Sequence, residues 1–337
     1  MTAIERLQAR GIRRTGTPKS GFKYMTVDGR AASKDDLARI RRLRIPPAWT
    51  EVAINPAASG RIQVIGKDIA GRWQYLYHES HVRQSERKKF LRLIEFAESL
   101  PAMRAAVNRD LRKPGLEKER VIAGIIRILS MSFLRPGSEI YANENGSYGV
   151  ATLRPRHVTV RGRTITFEFR GKSGVVQRTQ FDDRRVGRLL RRLLKYSNRR
   201  VFKYQNGEGT LIDIKAKNIN DYIHEVMGHN FSAKDFRTWS GTLVCACALA
   251  RRNVNDGVER SIKRLTVAAI KETAKALGNT PAVCRSAYIC PAVITAFEHG
   301  KTIKQYFGSV ERLVAYKGTR LHPAEKALLR LLKKEVG

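Results

Sequence analysis

Acidic side chains are scarce in this chain: 30 Asp and Glu stand against 65 Lys and Arg, a formal net charge of +35 over 337 residues. Such an excess repels itself in the compact state, which speaks against a protein that works without a polyanionic partner. Long apolar runs are missing too. The longest, around Leu243, is about half the length needed to cross a bilayer, so no membrane span is expected. Residues 1–14 mix acidic, basic and polar side chains and lack the apolar core of a secretory signal, so the expected location is cytoplasmic. Cysteine is limited to Cys245, Cys247, Cys284 and Cys290, without CxxC spacing or a nearby pair of histidines. That pattern argues against zinc and for buried, inert thiols in a reducing compartment. Neither a GxxxxGK[ST] loop nor a strand-to-helix GxGxxG is present, so no nucleotide cofactor, and no cofactor of any kind, is expected.

What remains is an ordinary globular composition, 42% hydrophobic, long enough for two domains. Residues 1–88 read as a small, β-rich domain. Phe22 to Val27 has strand composition and leads into a hairpin-type turn at Asp28-Gly29. Ser33 to Arg42 reads as a helix with a serine cap and acidic first turn. Ile45-Pro46-Pro47-Ala48-Trp49 is expected to be extended, and Ile62–Ile65 and Trp73–Tyr77 alternate like strands. Helices dominate from about Arg87, with the domain boundary placed in the polar stretch between Ser80 and Lys89. The apolar stripe Val121, Ile122, Ile125, Ile128, Leu129, Phe133 halts at Arg135-Pro136-Gly137. A strand at Thr164–Phe169, a turn at Gly171-Lys172-Ser173-Gly174 and a second strand from Val175 interrupt the helices. Further helical stripes cover 188–195, 218–228, 233–250 and 261–277, the last closed by Gly278. Thr280-Pro281 then opens a helix carrying Tyr288, and a basic helix, Pro323 to Glu335, follows at the C-terminal end. The expected class is α+β, with a mainly α second domain, 89–337, interrupted by a hairpin or three-stranded insert.

The charge selects a class of partner, a polyanion, and a membrane surface or the ribosome could use it as well as DNA. A DNA duplex is the densest common source of phosphate, and each neutralised phosphate releases counterions. Chemistry on that backbone without a metal needs an oxygen nucleophile, cations for the developing charge, and an acid for the departing 5′-oxygen. Arginine grips phosphate through two parallel N–H donors. Lysine can serve as the acid because its pKa responds to neighbouring charge, and tyrosine can hold phosphate in a covalent bond. The adjacent Asp182-Asp183 could suggest magnesium, but their place just before a helix favours a structural role. Histidines are scattered; His224 and His229, five apart, are poorly spaced for chelation.

Four segments bring these residue types together in order: Phe133-Leu134-Arg135-Pro136-Gly137, Gly171-Lys172, Lys234-Asp235-Phe236-Arg237-Thr238-Trp239, and Asn279-Thr280-Pro281-Ala282-Val283-Cys284-Arg285-Ser286-Ala287-Tyr288. With Pro46-Pro47-Ala48-Trp49 and Gly71-Arg72-Trp73-Gln74-Tyr75-Leu76-Tyr77, the chain resembles the type IB DNA topoisomerases, most closely the compact poxvirus and bacterial branch. The resemblance implies a tyrosine-recombinase-like catalytic domain and relaxation of supercoiled duplex DNA without ATP, through a 3′-phosphotyrosyl intermediate. It implies Tyr288 as nucleophile, Arg135 and Arg237 as clamps on the non-bridging oxygens, Lys172 as general acid and Lys234 as an aid to proton transfer. Asn279 stands where many members carry histidine; its amide can donate a hydrogen bond but cannot carry positive charge. Gln74, Tyr75 and Tyr77 match positions where the family's small domain touches DNA, with both tyrosines on one face of a strand. A nucleoid-associated monomer that clamps duplex DNA is the corresponding expectation.

Taken singly, each residue has an ordinary reading. Arg135 is then a cation at a helix end, Lys172 a solvated turn residue, Arg237 a salt-bridge partner, and Tyr75, Tyr77 and Tyr288 packing residues. Two other functions use part of the same pattern. A site-specific tyrosine recombinase shares the chemistry, but its second arginine typically follows His-x-x, where this chain has Lys234-Asp235-Phe236-Arg237. A non-catalytic basic nucleic-acid-binding protein would bind DNA without forming an adduct.

Overall fold

A computed structural model describes residues 1–228, 231–252 and 259–335; His229 lies outside the described residues. The chain divides into two compact units, Met1–Lys89 and Phe90–Gly337.

The first unit is a five-stranded antiparallel sheet with a helix on each face. In chain order it comprises α1 (Ala3–Arg10), β1 (Ile12–Thr17), β2 (Gly21–Met25), α2 (Lys34–Leu43), β3 (Thr50–Ile54), β4 (Ile62–Lys67) and β5 (Trp73–Tyr77). The strands lie in the order β2-β1-β3-β4-β5. Successive strand side chains point to opposite faces, and both faces of the central strands are covered. Val52, Ile54 and Val64 pack with Ile40 and Leu37 of α2, whereas Ala53 and Ile65 pack with Leu7 and Ile4 of α1. This is why β4 is buried at every position from Gln63 to Gly66 and not at alternate ones. The Asp28-Gly29 turn does not join two strands. β2 pairs backward with β1, and beyond the turn only a single bridge, Met25 to Ala31, forms before α2. The charged run Ile12-Arg13-Arg14-Thr15 hid β1, because adjacent arginines put a cation on each face and mask the alternation; Arg14 is half-buried, donating to the Pro46 and Trp49 carbonyls. Nor is 45–49 extended throughout: the Trp49 N–H donates to the Pro46 carbonyl at 3.1 Å, closing a turn with Pro47 in the position whose φ proline pre-sets.

Helix starts well before Arg87. The 32-residue α3 runs from Glu79 to Asp110, through the polar stretch between Ser80 and Lys89. Its first turns carry too few apolar side chains to show a helical period. The second unit continues with α4 (Lys118–Ser132), α5 (Glu139–Asn145), the antiparallel sheet β6 (Val158–Arg161), β7 (Thr164–Arg170) and β8 (Val176–Asp182), and α6 (Arg184–Tyr196). A two-stranded ribbon, β9 (Lys203–Gln205) and β10 (Leu211–Asp213), precedes α7 (Ala216–Met227), α8 (Ala233–Ala250) and α9 (Glu259–Leu277). The chain closes with α10 (Pro281–Ala287), α11 (Pro291–Glu298), α12 (Val310–Ala315) and α13 (Pro323–Glu335). The unit's centre is α8, buried at every position from Asp235 to Leu249, with α4, α7, α9, α11 and α13 packed around it. A helix enclosed on all sides has no polar face to show a moment, so its stripe pattern is weak. Among the described residues, no helix is long and apolar enough to cross a membrane.

Candidate active site

α4 and α9 both end beside α8, and the side chains of interest sit at those ends. α4 stops at Ser132 because Phe133 takes the left-handed conformation, φ 53°. The chain then runs through Leu134 to Arg135. Two N–H groups of the following 3₁₀ turn hold this loop: Val150 donates to the Arg135 carbonyl at 2.9 Å and Ala151 to that of Pro136 at 2.8 Å. Gly149 lets the strands of the loop touch, since a Cβ there would lie 2.4 Å from the Gly137 nitrogen.

α9 ends in a Schellman-type closure. Gly278 sits at φ 60° and the Asn279 N–H returns to the Ala274 carbonyl at 2.9 Å. Asn279 Oδ1 accepts a hydrogen bond from Arg135 at 2.5 Å, joining the ends of the two helices. Its Nδ2 is buried and has no hydrogen-bond partner among the described residues.

Arg237, on the first turns of α8 and 3% exposed, lies beneath both ends. Its two terminal nitrogens donate to the Phe133 carbonyl, at the end of α4, and to the Leu277 carbonyl, at the end of α9. Its Nε is buried without a hydrogen-bond partner among the described residues. The guanidinium carbon stands 4.8 Å from the centroid of the Tyr288 ring. Burial, and then the neighbouring Arg135 charge, pull the Arg237 pKa down to about 10, which leaves it cationic at neutral pH.

Tyr288 follows α10, whose start Thr280 caps by accepting from the Val283 N–H. Its backbone is docked against α8: Thr242 Oγ1 donates to the Tyr288 carbonyl at 3.2 Å and accepts from the Cys290 N–H at 3.1 Å. A Cβ on Gly241 would lie 2.8 Å from the Tyr288 carbonyl oxygen, so only glycine lets α8 approach this closely. Burial pushes the Tyr288 pKa up, but the Arg237 and Arg135 charges and hydrogen bonds outweigh it, and the net shift is down.

Arg135, Arg237, Asn279 and Tyr288 are therefore brought together from three separate segments. Lys172 sits in the 3₁₀ turn Lys172–Gly174 between β7 and β8, its side chain exposed and without a carboxylate partner among the described residues. Lys234 lies on the exposed side of the first turn of α8, its carbonyl accepting from Thr238, and the structure does not bring it into the cluster. In the first unit, Gln74 donates to Asp68 at 2.9 Å. The Tyr75 and Tyr77 rings lie on one face of β5 with centroids 6.2 Å apart, and both are exposed.

The acidic pair Asp182-Asp183 is occupied structurally. Asp183 caps α6 by accepting from Arg185 and Val186, and Asp182 accepts from Thr164 and pairs with Arg163. Among the described residues no group of three or more His, Cys, Asp or Glu could hold a metal ion. All four cysteines are buried and outside any disulfide among the described residues, and burial pushes the Cys245, Cys247 and Cys284 thiols up.

Residues 78–312 match the family model described as "Eukaryotic DNA topoisomerase I, catalytic core". The chain is 34% identical over 292 residues to the DNA topoisomerase 1B of Acanthamoeba polyphaga mimivirus, covering 83% of this chain and 86% of the relative. The chain belongs to the type IB DNA topoisomerases. A second family model, "Bacterial DNA topoisomerase IB, N-terminal domain", matches residues 21–68 of the first unit. The vaccinia virus (strain Copenhagen) DNA topoisomerase 1B is 23% identical over 259 residues, 76% of this chain and 80% of that one. Among solved structures, a XerH site-specific recombinase in a post-cleavage complex with difH substrate matches at 14% identity and TM-score 0.35, over 60% of this chain and 49% of that one. A likeness that slight carries no argument. As a type IB topoisomerase the protein relaxes supercoiled duplex DNA, cutting one strand through a tyrosine and rejoining it without ATP.

Three contributors to this arrangement had no motif to announce them: Gly149, Gly241 and Thr242. A glycine inside a helix costs about 1 kcal/mol relative to alanine. Gly241, in the middle of α8, was therefore the one legible sign of a close backbone approach.

Proposed function

We propose that Tyr288 is the nucleophile of this topoisomerase and that Arg135, Arg237 and Asn279 form its phosphate cradle. The observation that supports this reading is a pair of orphaned buried donors, Arg237 Nε and Asn279 Nδ2, in the cluster that holds Tyr288. Buried donors are nearly always satisfied, and an anionic phosphate oxygen is the partner this basic cluster suits best. Guanidinium has five N–H donors; two backbone carbonyls and Tyr288 engage the terminal nitrogens of Arg237, and Nε is left for substrate.

In the reaction, Tyr288 Oη bonds to phosphorus and loses its proton to water, while the arginines and Asn279 stabilise the added charge on the non-bridging oxygens. The bond from phosphorus to O5′ breaks, and Lys172 gives O5′ a proton. The 3′-phosphotyrosyl bond stores the linkage while the free strand turns; the 5′-hydroxyl then returns its proton to Lys172 as O5′ attacks phosphorus, the bond from phosphorus to Tyr288 Oη breaks, and Oη takes a proton from water. Lys234 assists this proton traffic at longer range. The N-terminal unit holds the duplex through Gln74, Tyr75 and Tyr77, and the enzyme acts as a monomer in a cytoplasmic, nucleoid-associated setting.

A suicide duplex that traps the covalent adduct tests the centre of this reading. Tyr288→Phe is expected to give no adduct after denaturant quenching and no relaxation of supercoiled plasmid in EDTA without ATP. An adduct on any other residue, or normal relaxation by the variant, would overturn it.

A further inference from the structure

Two glycines immediately precede two of the site residues: Gly171 before Lys172, and Gly278 before Asn279. One side chain fills the space that a Cβ on either would need. Gln177, the second residue of β8 and 9% exposed, has its Cγ 2.7 Å from the Cβ position of Gly171. Its Oε1 lies 2.4 Å, and its Cδ and Nε2 3.0 Å, from the Cβ position of Gly278. Gln177 is thus wedged between the turn that carries Lys172 and the turn that ends α9. β8 fixes where the wedge sits: Gln177 pairs with Phe169 across the ladder, and Phe169 is buried in the core. The Gly171 N–H closes the same loop by donating to the Val175 carbonyl at 2.8 Å.

We infer that Gln177 is a positioning residue that sets the Lys172 turn against the Arg135–Asn279 side of the phosphate cradle. The inference rests on the assignment of Lys172 as general acid and adds what holds that acid in place. The β7–β8 turn has no other buried polar side chain bridging it to α9 among the described residues. Lys172 itself is exposed, so its reach to a 5′-oxygen depends on where the turn sits. A proton donor misplaced by about 1 Å can lose about 100-fold in rate. The tight fit at both glycines means that shortening Gln177 frees the turn from α9, whereas adding a methyl at Gly171 pushes it away.

The test is single-turnover cleavage of a suicide duplex whose scissile 5′-oxygen is compared with sulfur at the same bridging position. A thiol, with a pKa of about 8.5, leaves as thiolate and needs no proton from the enzyme. On the oxygen substrate Gln177→Ala is expected to cleave about 10- to 100-fold slower than the unsubstituted protein, and on the sulfur substrate nearly as fast as it. Gln177→Met, which keeps the bulk of the wedge, should recover most of the oxygen rate. Gly171→Ala should show the same sulfur-rescued defect, and it decides the matter if Gln177→Ala does not fold. If Lys172→Ala is rescued by sulfur but Gln177→Ala and Gly171→Ala are equally slow on both substrates, or if both cleave the oxygen substrate at full rate, the inference falls and the acid assignment stands. If Lys172→Ala is itself not rescued, the acid assignment fails and takes the inference with it.

Discussion

Arg237 has two jobs, and they explain why it is buried. Its donors to the Phe133 and Leu277 carbonyls satisfy the ends of two helices, where backbone oxygens have no intrahelical partner. The same charge lies against the Tyr288 ring and, with Arg135, pulls the phenol below its ordinary value of 10. A cation favours the phenolate, so removing one must raise the Tyr288 pKa. Arg135→Ala is therefore expected to move the alkaline rise of single-turnover cleavage to higher pH, with a rate loss of about 100- to 1,000-fold at neutral pH. A rate that falls with no movement of the pH profile would mean that Arg135 acts on the phosphate alone. Because Asn279 has no ionisable side chain, no histidine-like limb near pH 6.5 is expected from its position. The chemical types of these residues were legible in the sequence, since phosphoryl transfer uses few side chains. That Arg237 would be held by two backbone carbonyls was not, because Phe133 and Leu277 contribute only the oxygen every residue has.

At the scale of elements, α8 is both scaffold and site. It carries Arg237, and one turn later Gly241 and Thr242 hold the backbone of Tyr288, 46 residues further along for Thr242. A rigid helix that supplies the cation and docks the nucleophile fixes their separation without relying on a loop. Gly241→Ala must push the Tyr288 segment outward. The expected outcome is a stability loss of about 1–3 kcal/mol, as for an overpacked core site, with a slower cleavage step. Thermal denaturation and single-turnover cleavage check it, and unchanged values for both would show that the segment moves freely. The elements that escaped sequence reading share a physical cause. The adjacent arginines of β1 put a cation on each face and obscure its alternation, and the solvated first turns of α3 have no apolar stripe. By contrast α4, apolar along most of its length and ended by Phe133 and Arg135-Pro136-Gly137, was plain from periodicity and its stop signal. Lys234, one turn before Arg237, lies on the exposed side of α8, a placement that sequence spacing alone does not give.

For the whole molecule, the +35 charge governs how the enzyme meets its substrate. Each phosphate contacted lowers the logarithmic salt slope of binding by about 0.9, so six or more contacts predict a loss of about 1,000-fold or more between 50 and 200 mM salt. Equilibrium binding of a short duplex to Tyr288→Phe protein, which separates binding from cleavage, measures that slope. A slope near zero would mean that the charge serves something other than the duplex. Composition by itself determined the partner class, because net charge is summed over residues and needs no fold. The order of Arg135, Lys172, Arg237 and Tyr288 along the chain pointed to the chemistry, because a reaction restricts which side chains can perform it. Only the tertiary structure decided which of these groups meet, and it did so through parts no motif records. Two helix ends converge on a buried arginine, a glycine in α8 admits the tyrosine's backbone, and a glutamine is wedged between two turns. Such contacts join positions far apart in sequence through backbone atoms and shape, and neither leaves a pattern in the residues on one side alone.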